Sequence, residues 1–146
     1  MDYRDKAIDE LGRYLANCKA KEITKSRIVE QETALKSIRA GGTTPNSGGG
    51  NKTEHKWLSL IASNEDEKMR FKKVAREVRR VEEAMSVLPE DEARILRLVY
   101  IEKRNKEKYS MDEIAANEHI SRATAYRLRD SALINFTRAF YGAVIT

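Results

Sequence analysis

Apolar residues recur at helical spacing along most of this chain, in two long stripes and one shorter series. In the first stripe Ile8, Leu11, Leu15 and Cys18 alternate three and four positions apart, the seam of a helix that packs against another helix. The phase slips between Glu22 and Ser26, then resumes at Ile28, Leu35 and Ile38. Asp2 and Asp5 favour the start through capping and the helix dipole. Gly12 weakens the middle by about 1 kcal/mol relative to alanine. The second stripe is longer: Trp57, Leu60, Asn64, Glu67, Phe71, Val74, Val78, Val81, Met85 and Leu88. All are apolar except the layer at Asn64 and Glu67, and the positions between them are mostly Lys, Arg and Glu. Helices over 1–39 and 53–88 are therefore expected. Between them, 40–52 reads as a flexible linker, since Ala40–Asn51 holds five glycines and a proline.

Neither stripe can stay exposed to water. The simplest solution is a long antiparallel helical hairpin folded about the linker, which pairs residues whose numbers sum to about 92. Leu35 then meets Trp57, Leu15 lies near Val78, Ile8 near Met85, and Lys25 opposes Glu67 as a register-fixing polar pair. The same stripes can equally pair between chains, as a coiled-coil homodimer or larger bundle. The pattern leaves both arrangements open.

From Leu88 the pattern changes. Leu88-Pro89-Glu90-Asp91-Glu92 ends one helix and opens another, because proline fits a first turn and acids there suit the dipole. A helix over about 90–103 carries Ile95, Leu96, Val99 and Tyr100 inward. The basic segment Lys103-Arg104-Asn105-Lys106-Glu107-Lys108 follows. Ser110-Met111-Asp112-Glu113 is a capping box opening a short helix with Met111, Ile114 and Ala115 as its apolar face. After a turn at Asn117-Glu118-His119-Ile120, with the isoleucine expected to be buried, Ser121 caps a last helix reaching Tyr141, ahead of Gly142.

Helix, tight turn and Arg-rich capped helix form the arrangement of a helix-turn-helix, whose second helix enters the DNA major groove. Residues 89–142 are assigned to this module. Helical phase turns Ala125, Leu128, Ala132 and Phe136 inward, with Leu133 and Phe140 beside them. It turns Arg122, Ala123, Tyr126, Arg127 and Asp130 outward. Arginine matches the two acceptors of guanine's major-groove edge, so Arg122, Ala123, Tyr126 and Arg127 are expected to read bases. Lys103, Arg104, Lys106, Lys108, Ser121, Thr124 and Arg129 are expected to hold phosphates.

The stretch Leu88-Pro89-Glu90, Leu96-Arg97-Leu98-Val99-Tyr100, Met111-Asp112-Glu113-Ile114-Ala115, Ile120 to Arg127 and Ala132-Leu133 resembles region 4 of bacterial sigma factors. The organisation of the whole chain is similar to the ArpU/RinA-type late transcription regulators of phages and prophages in Gram-positive bacteria. The resemblance implies a phage-encoded activator of late genes. The Lys103–Tyr109 segment departs from it, being longer than the turn usual in sigma-type modules.

Composition narrows the classes. Over 146 residues, 28 Lys and Arg outweigh 23 Asp and Glu for a net charge of +5, mild but suited to a polyanion. With 35% charged and 7% aromatic residues, long exposed helices and an all-α class are expected. Cys18 stands alone, at a helical core position, so no intramolecular disulfide forms. No signal peptide or membrane span is read, which makes the bacterial cytoplasm the expected compartment. His55 and His119 have no partner set resembling a metal site or catalytic triad, and no glycine-rich phosphate loop follows a strand. Neither enzyme activity nor a cofactor is expected. The expected partner is double-stranded DNA, with the hairpin supplying dimerisation or contact with host RNA polymerase. A small terminase subunit recognising the phage packaging site is the second reading. A helical interaction protein with weak DNA affinity is the third.

Overall fold

Five α-helices carry the computed structural model, which describes residues 2–42, 50–102 and 110–142, and no strand occurs among them. They are α1 (Tyr3–Ser37), α2 (Gly50–Ser86), α3 (Glu90–Leu96), α4 (Met111–Asn117) and α5 (Arg122–Tyr141). A π-helical turn, Ile38–Gly42, continues α1, and another, Arg97–Ile101, continues α3. The two long helices thus extend into the segment read as linker at both of its ends. None of the described helices is long and apolar enough to cross a membrane. The chain divides into two compact units, one of residues 1–16 with 77–146, the other of residues 17–76.

In the unit 17–76, α1 and α2 run antiparallel. Asn64 Nδ2 donates to Gln31 Oε1 at 3.1 Å, Arg27 lies 3.7 Å from Glu67 Oε1, and Lys68 lies 3.6 Å from Glu32. Every buried residue described in this unit is polar: Thr24, Asn64 and Glu67. Apolar side chains such as Ile28, Leu35, Trp57 and Phe71 are half-buried beside them, as a pair of helices without a third layer requires. The two polar interruptions do meet, but in a different register. Lys25 is exposed and Arg27 faces Glu67 instead. The inward position goes to Thr24, whose hydroxyl donates to the Ala20 carbonyl. Threonine satisfies its hydroxyl on its own helix, whereas a lysine turned inward would have to strip water from its ammonium group.

In the other unit, one core joins all five helices. Ala7 and Leu11 come from α1, Val81 and Ala84 from α2, and Ile95 and Leu96 from α3. Ile114 comes from α4, with Ala132, Leu133, Phe136 and Phe140 from α5. Leu15, expected in the seam, is 52% exposed, and Tyr14 packs on the core instead. Ala7, Leu11 and Tyr14 are spaced four and three apart, so the stripe that faces the core runs through 14 rather than 15. Cys18, in the other unit, is half-buried.

The stretch that begins with α3 earns its shape locally. Pro89 sits in extended backbone before the helix, Glu90, Asp91 and Glu92 occupy the first turn, and the Ala93 amide donates to the Pro89 carbonyl at 2.9 Å. The wider π turn then brings the consecutive residues Val99, Tyr100 and Ile101 into the core together. Regular helix therefore stops well short of the expected residue 103. Glu92 is buried and takes both nitrogen contacts from Asn135 Nδ2 of α5, at 2.6 and 3.2 Å. Phe136 is fully buried and stacks on Phe140 at 5.5 Å, a position where truncation to alanine costs about 3–5 kcal/mol.

Candidate nucleic-acid interface

The geometry of α4 and α5 is set by three local devices. Ser110 caps α4, its Oγ accepting from the Glu113 amide at 3.1 Å. Ser121 caps α5 in the same way, accepting from the Thr124 amide at 3.1 Å. Between them the chain reverses at His119, whose φ is 57°. The His119 amide donates to the Ala116 carbonyl at 3.3 Å and the Ile120 amide to the Ala115 carbonyl at 3.0 Å. These are the two bonds of a Schellman ending, with histidine in the left-handed position usually held by glycine. Ile120 is half-buried rather than buried. Its side chain occupies the place where such endings make an apolar contact with the last helical turn.

Ala125, Ala132, Leu133, Phe136 and Phe140 face the core as expected, with Leu128 partly buried. Thr137, fully buried and donating to the Leu133 carbonyl at 2.5 Å, joins that face. The opposite face carries the residues expected to read bases. Arg122, Ala123 and Arg127 are exposed, and Tyr126 is half-buried. Tyr126 lies between two guanidinium groups, Arg122 at 5.6 Å and Arg129 at 4.9 Å from the ring centre. Both spacings, four and three residues, place these side chains together on a helix, so this stack was available from phase alone. The Arg122 pKa is raised above its ordinary value by its hydrogen bond with Tyr126 and by the nearby Asp112 carboxylate.

Charge partners sort the arginines further. Arg122 pairs with Asp112 of α4 at 3.3 Å. Arg129 is tied to Asp130 at 3.1 Å, and Asp130 in turn pairs with Arg4 of α1 at 3.0 Å. Arg129, expected to hold a phosphate, and Asp130, expected to face outward, are thus half-buried members of a network joining α1 and α5. No sequence signal links residues as distant as Arg4 and Asp130. Arg127 has no ion pair among the described residues.

The residues expected to hold phosphates divide into two groups. Lys103, Arg104, Lys106 and Lys108 lie outside the described residues. Ser121 and Thr124 are both exposed at the start of α5. The Ser121 hydroxyl donates to Thr124 Oγ1 at 2.8 Å, a bond that does not use the Thr124 hydroxyl hydrogen. Together with the first-turn amides of α5, that end of the helix presents donors and a positive dipole, the chemistry an anion meets.

Among the described residues no cluster of three or more His, Cys, Asp or Glu side chains is placed to hold a metal ion. Arg94 spans Glu90 at 3.3 Å and Glu118 at 3.2 Å, tying α3 to the end of α4. The candidate face is thereby braced from behind by ion pairs and core packing while its own surface carries Arg122, Tyr126 and Arg127.

No curated protein and no solved structure matches the chain. A family model does match, over residues 35–136, from the last turns of α1 to Phe136 of α5. That span is well over half of the chain, and the protein therefore belongs to the DUF1492 family, described as a protein of unknown function.

Proposed function

We propose that this protein binds duplex DNA through a helix-turn-helix formed by α4, the His119 turn and α5, and regulates transcription as the phage ArpU/RinA-type late regulators do. One observation carries the reading: two serine-capped helices joined by a Schellman turn, with Arg122, Tyr126 and Arg127 together on the solvent side of the second. Arg127 and Arg122 supply bidentate donors for base edges, Tyr126 a hydroxyl, and Ala123 a small surface that lets the groove approach. Thr124 and the capped end of α5 take phosphates, with Lys103, Arg104, Lys106 and Lys108 adding sequence-independent affinity.

The protein acts by binding, without a cofactor, in the cytoplasm of a bacterial host. Its unit 17–76 serves homodimer formation or contact with host RNA polymerase. The Asn64–Gln31 hydrogen bond joins two helices of the same chain, so what it fixes is the register of that hairpin.

The direct test is selection of duplexes from a random pool by the full-length protein, followed by sequencing and a gel shift. Recovery of a common site, bound at least about a thousandfold more tightly than random duplex, is the expected result. A pool that stays unenriched, with no shift at low salt, would sink the proposal.

A further inference from the structure

Beyond α5, the strongest concentration of charge lies on α2, in the unit 17–76. Arg70, Lys72, Lys73 and Arg76 are all exposed, and the residues between them, Phe71, Val74 and Ala75, are half-buried. The solvent-facing arc of α2 over 70–76 is consequently cationic throughout, with no exposed large apolar side chain. Three nearby cations of this unit find acids: Arg27 and Arg70 reach Glu67, and Lys68 stands between Glu32 and Glu65. Lys72, Lys73 and Arg76 have no ion pair among the described residues.

This arrangement works against the helix. Lys72 and Arg76 are four apart, Lys73 and Arg76 three apart, and Arg70 and Lys73 three apart, all like-charged neighbours. The helix dipole does not account for them. Its effect is confined to the last turn, and α2 ends at Ser86 with Glu83 and no basic residue in that turn. A cost without internal return points to an external counter-charge.

We infer that Lys72, Lys73 and Arg76 form a second, sequence-independent contact surface for the DNA phosphate backbone, distinct from the face of α5. The inference rests on the reading that the protein binds duplex DNA. Lys73 borders a groove lined by Ala20, Ile23, Thr24 and Val74, but Lys72 and Arg76 do not line it, and flexible cations set outside a groove suit phosphates better than an amphipathic acidic peptide, which needs one. Lys72 and Arg76 are about 6 Å apart along the helix axis, and neighbouring phosphates of one strand rise by about 3.4 Å each. Two or three consecutive phosphates therefore come within reach of these side chains.

The test uses the full-length protein and its triple variant Lys72→Gln, Lys73→Gln, Arg76→Gln, titrated with a fluorescent random-sequence duplex over a range of salt concentrations. The slope of log affinity against log salt is expected to become shallower by about two to three, since each lost phosphate contact contributes about 0.9. The order of preference among duplexes should not change, and helical content by circular dichroism should be retained or rise. An unchanged slope in a folded variant overturns the inference while leaving DNA binding by α5 standing. The same holds if the slope is unchanged and binding to poly-glutamate is lost instead, which would assign the arc to an acidic protein. If the wild-type protein binds no duplex at any salt, the DNA-binding reading itself has failed.

Discussion

Arg122 Nε stands 3.3 Å from Asp112 Oδ1, so the first residue of α5 is tied to the first turn of α4 across the intervening turn. Both side chains are about two-thirds exposed, and such pairs contribute little to stability. Their consequence lies in competition. A carboxylate beside Arg122 occupies the guanidinium that a base or phosphate would otherwise receive. Asp112→Asn should raise affinity for any duplex roughly two- to fivefold at low salt, with little change in melting temperature. Fluorescence anisotropy and a thermal melt check both halves.

Arg127 differs in being exposed and without an ion pair among the described residues. Its replacement by alanine should leave folding almost untouched. On the selected site it should cost about 1–3 kcal/mol of binding and relax preference at one base pair. Equal binding of wild type and variant to that site would rule out Arg127 as a base-reading residue.

The Asn135–Glu92 contact tests what holds α3 against α5. Both Glu92 oxygens are reached by the one amide nitrogen. Asn135→Ala would leave a buried carboxylate short of a donor, at a cost of about 1.5–3 kcal/mol in urea unfolding. Replacing both residues by leucine should recover much of that loss, because no polar group is then stranded.

Tyr100 supplies a pH dependence. Burial raises its pKa in the folded chain, partly opposed by Arg129 and Arg4. Between the unfolded value, about 10, and the raised one, the folded chain keeps a proton that the unfolded chain has lost. Stability is therefore fully present below about pH 10 and falls as pH climbs beyond it. Tyr100→Phe should flatten part of this alkaline loss. Tyr141, also raised by burial, maintains the remainder. Urea midpoints measured across this range distinguish the two.

How far the chain could be read in advance depends on the reach of the interactions involved. The helices, the two serine caps and the inward stripe from Ala125 to Phe140 follow from neighbours within four residues, and these were legible. The stack of Arg122, Tyr126 and Arg129 obeys the same spacing, but spacing alone does not tell an arginine that lies on a neighbouring ring from one that reaches away from the helix. The Arg4–Asp130 pair and the Asn135–Glu92 contact depend on tertiary placement that no local pattern encodes. The register of the unit 17–76 failed for a related reason. Counting positions cannot tell which of Thr24 and Lys25 turns inward, whereas the cost of burying an ammonium group decides it.

The presence of Ala7 and Leu11 in the same core as Leu133 and Phe136 also bears on how the protein is made. On a ribosome adding about 5–20 residues each second, the N-terminal helix waits several seconds before its partners in α5 emerge. During that interval its apolar stripe has no native cover from that helix, and the loop to be closed is nearly the whole chain. Biogenesis therefore depends on late closure: an amber stop placed just before α5 should yield an aggregation-prone fragment, rather than a stable long-helix domain that merely lacks its last helix.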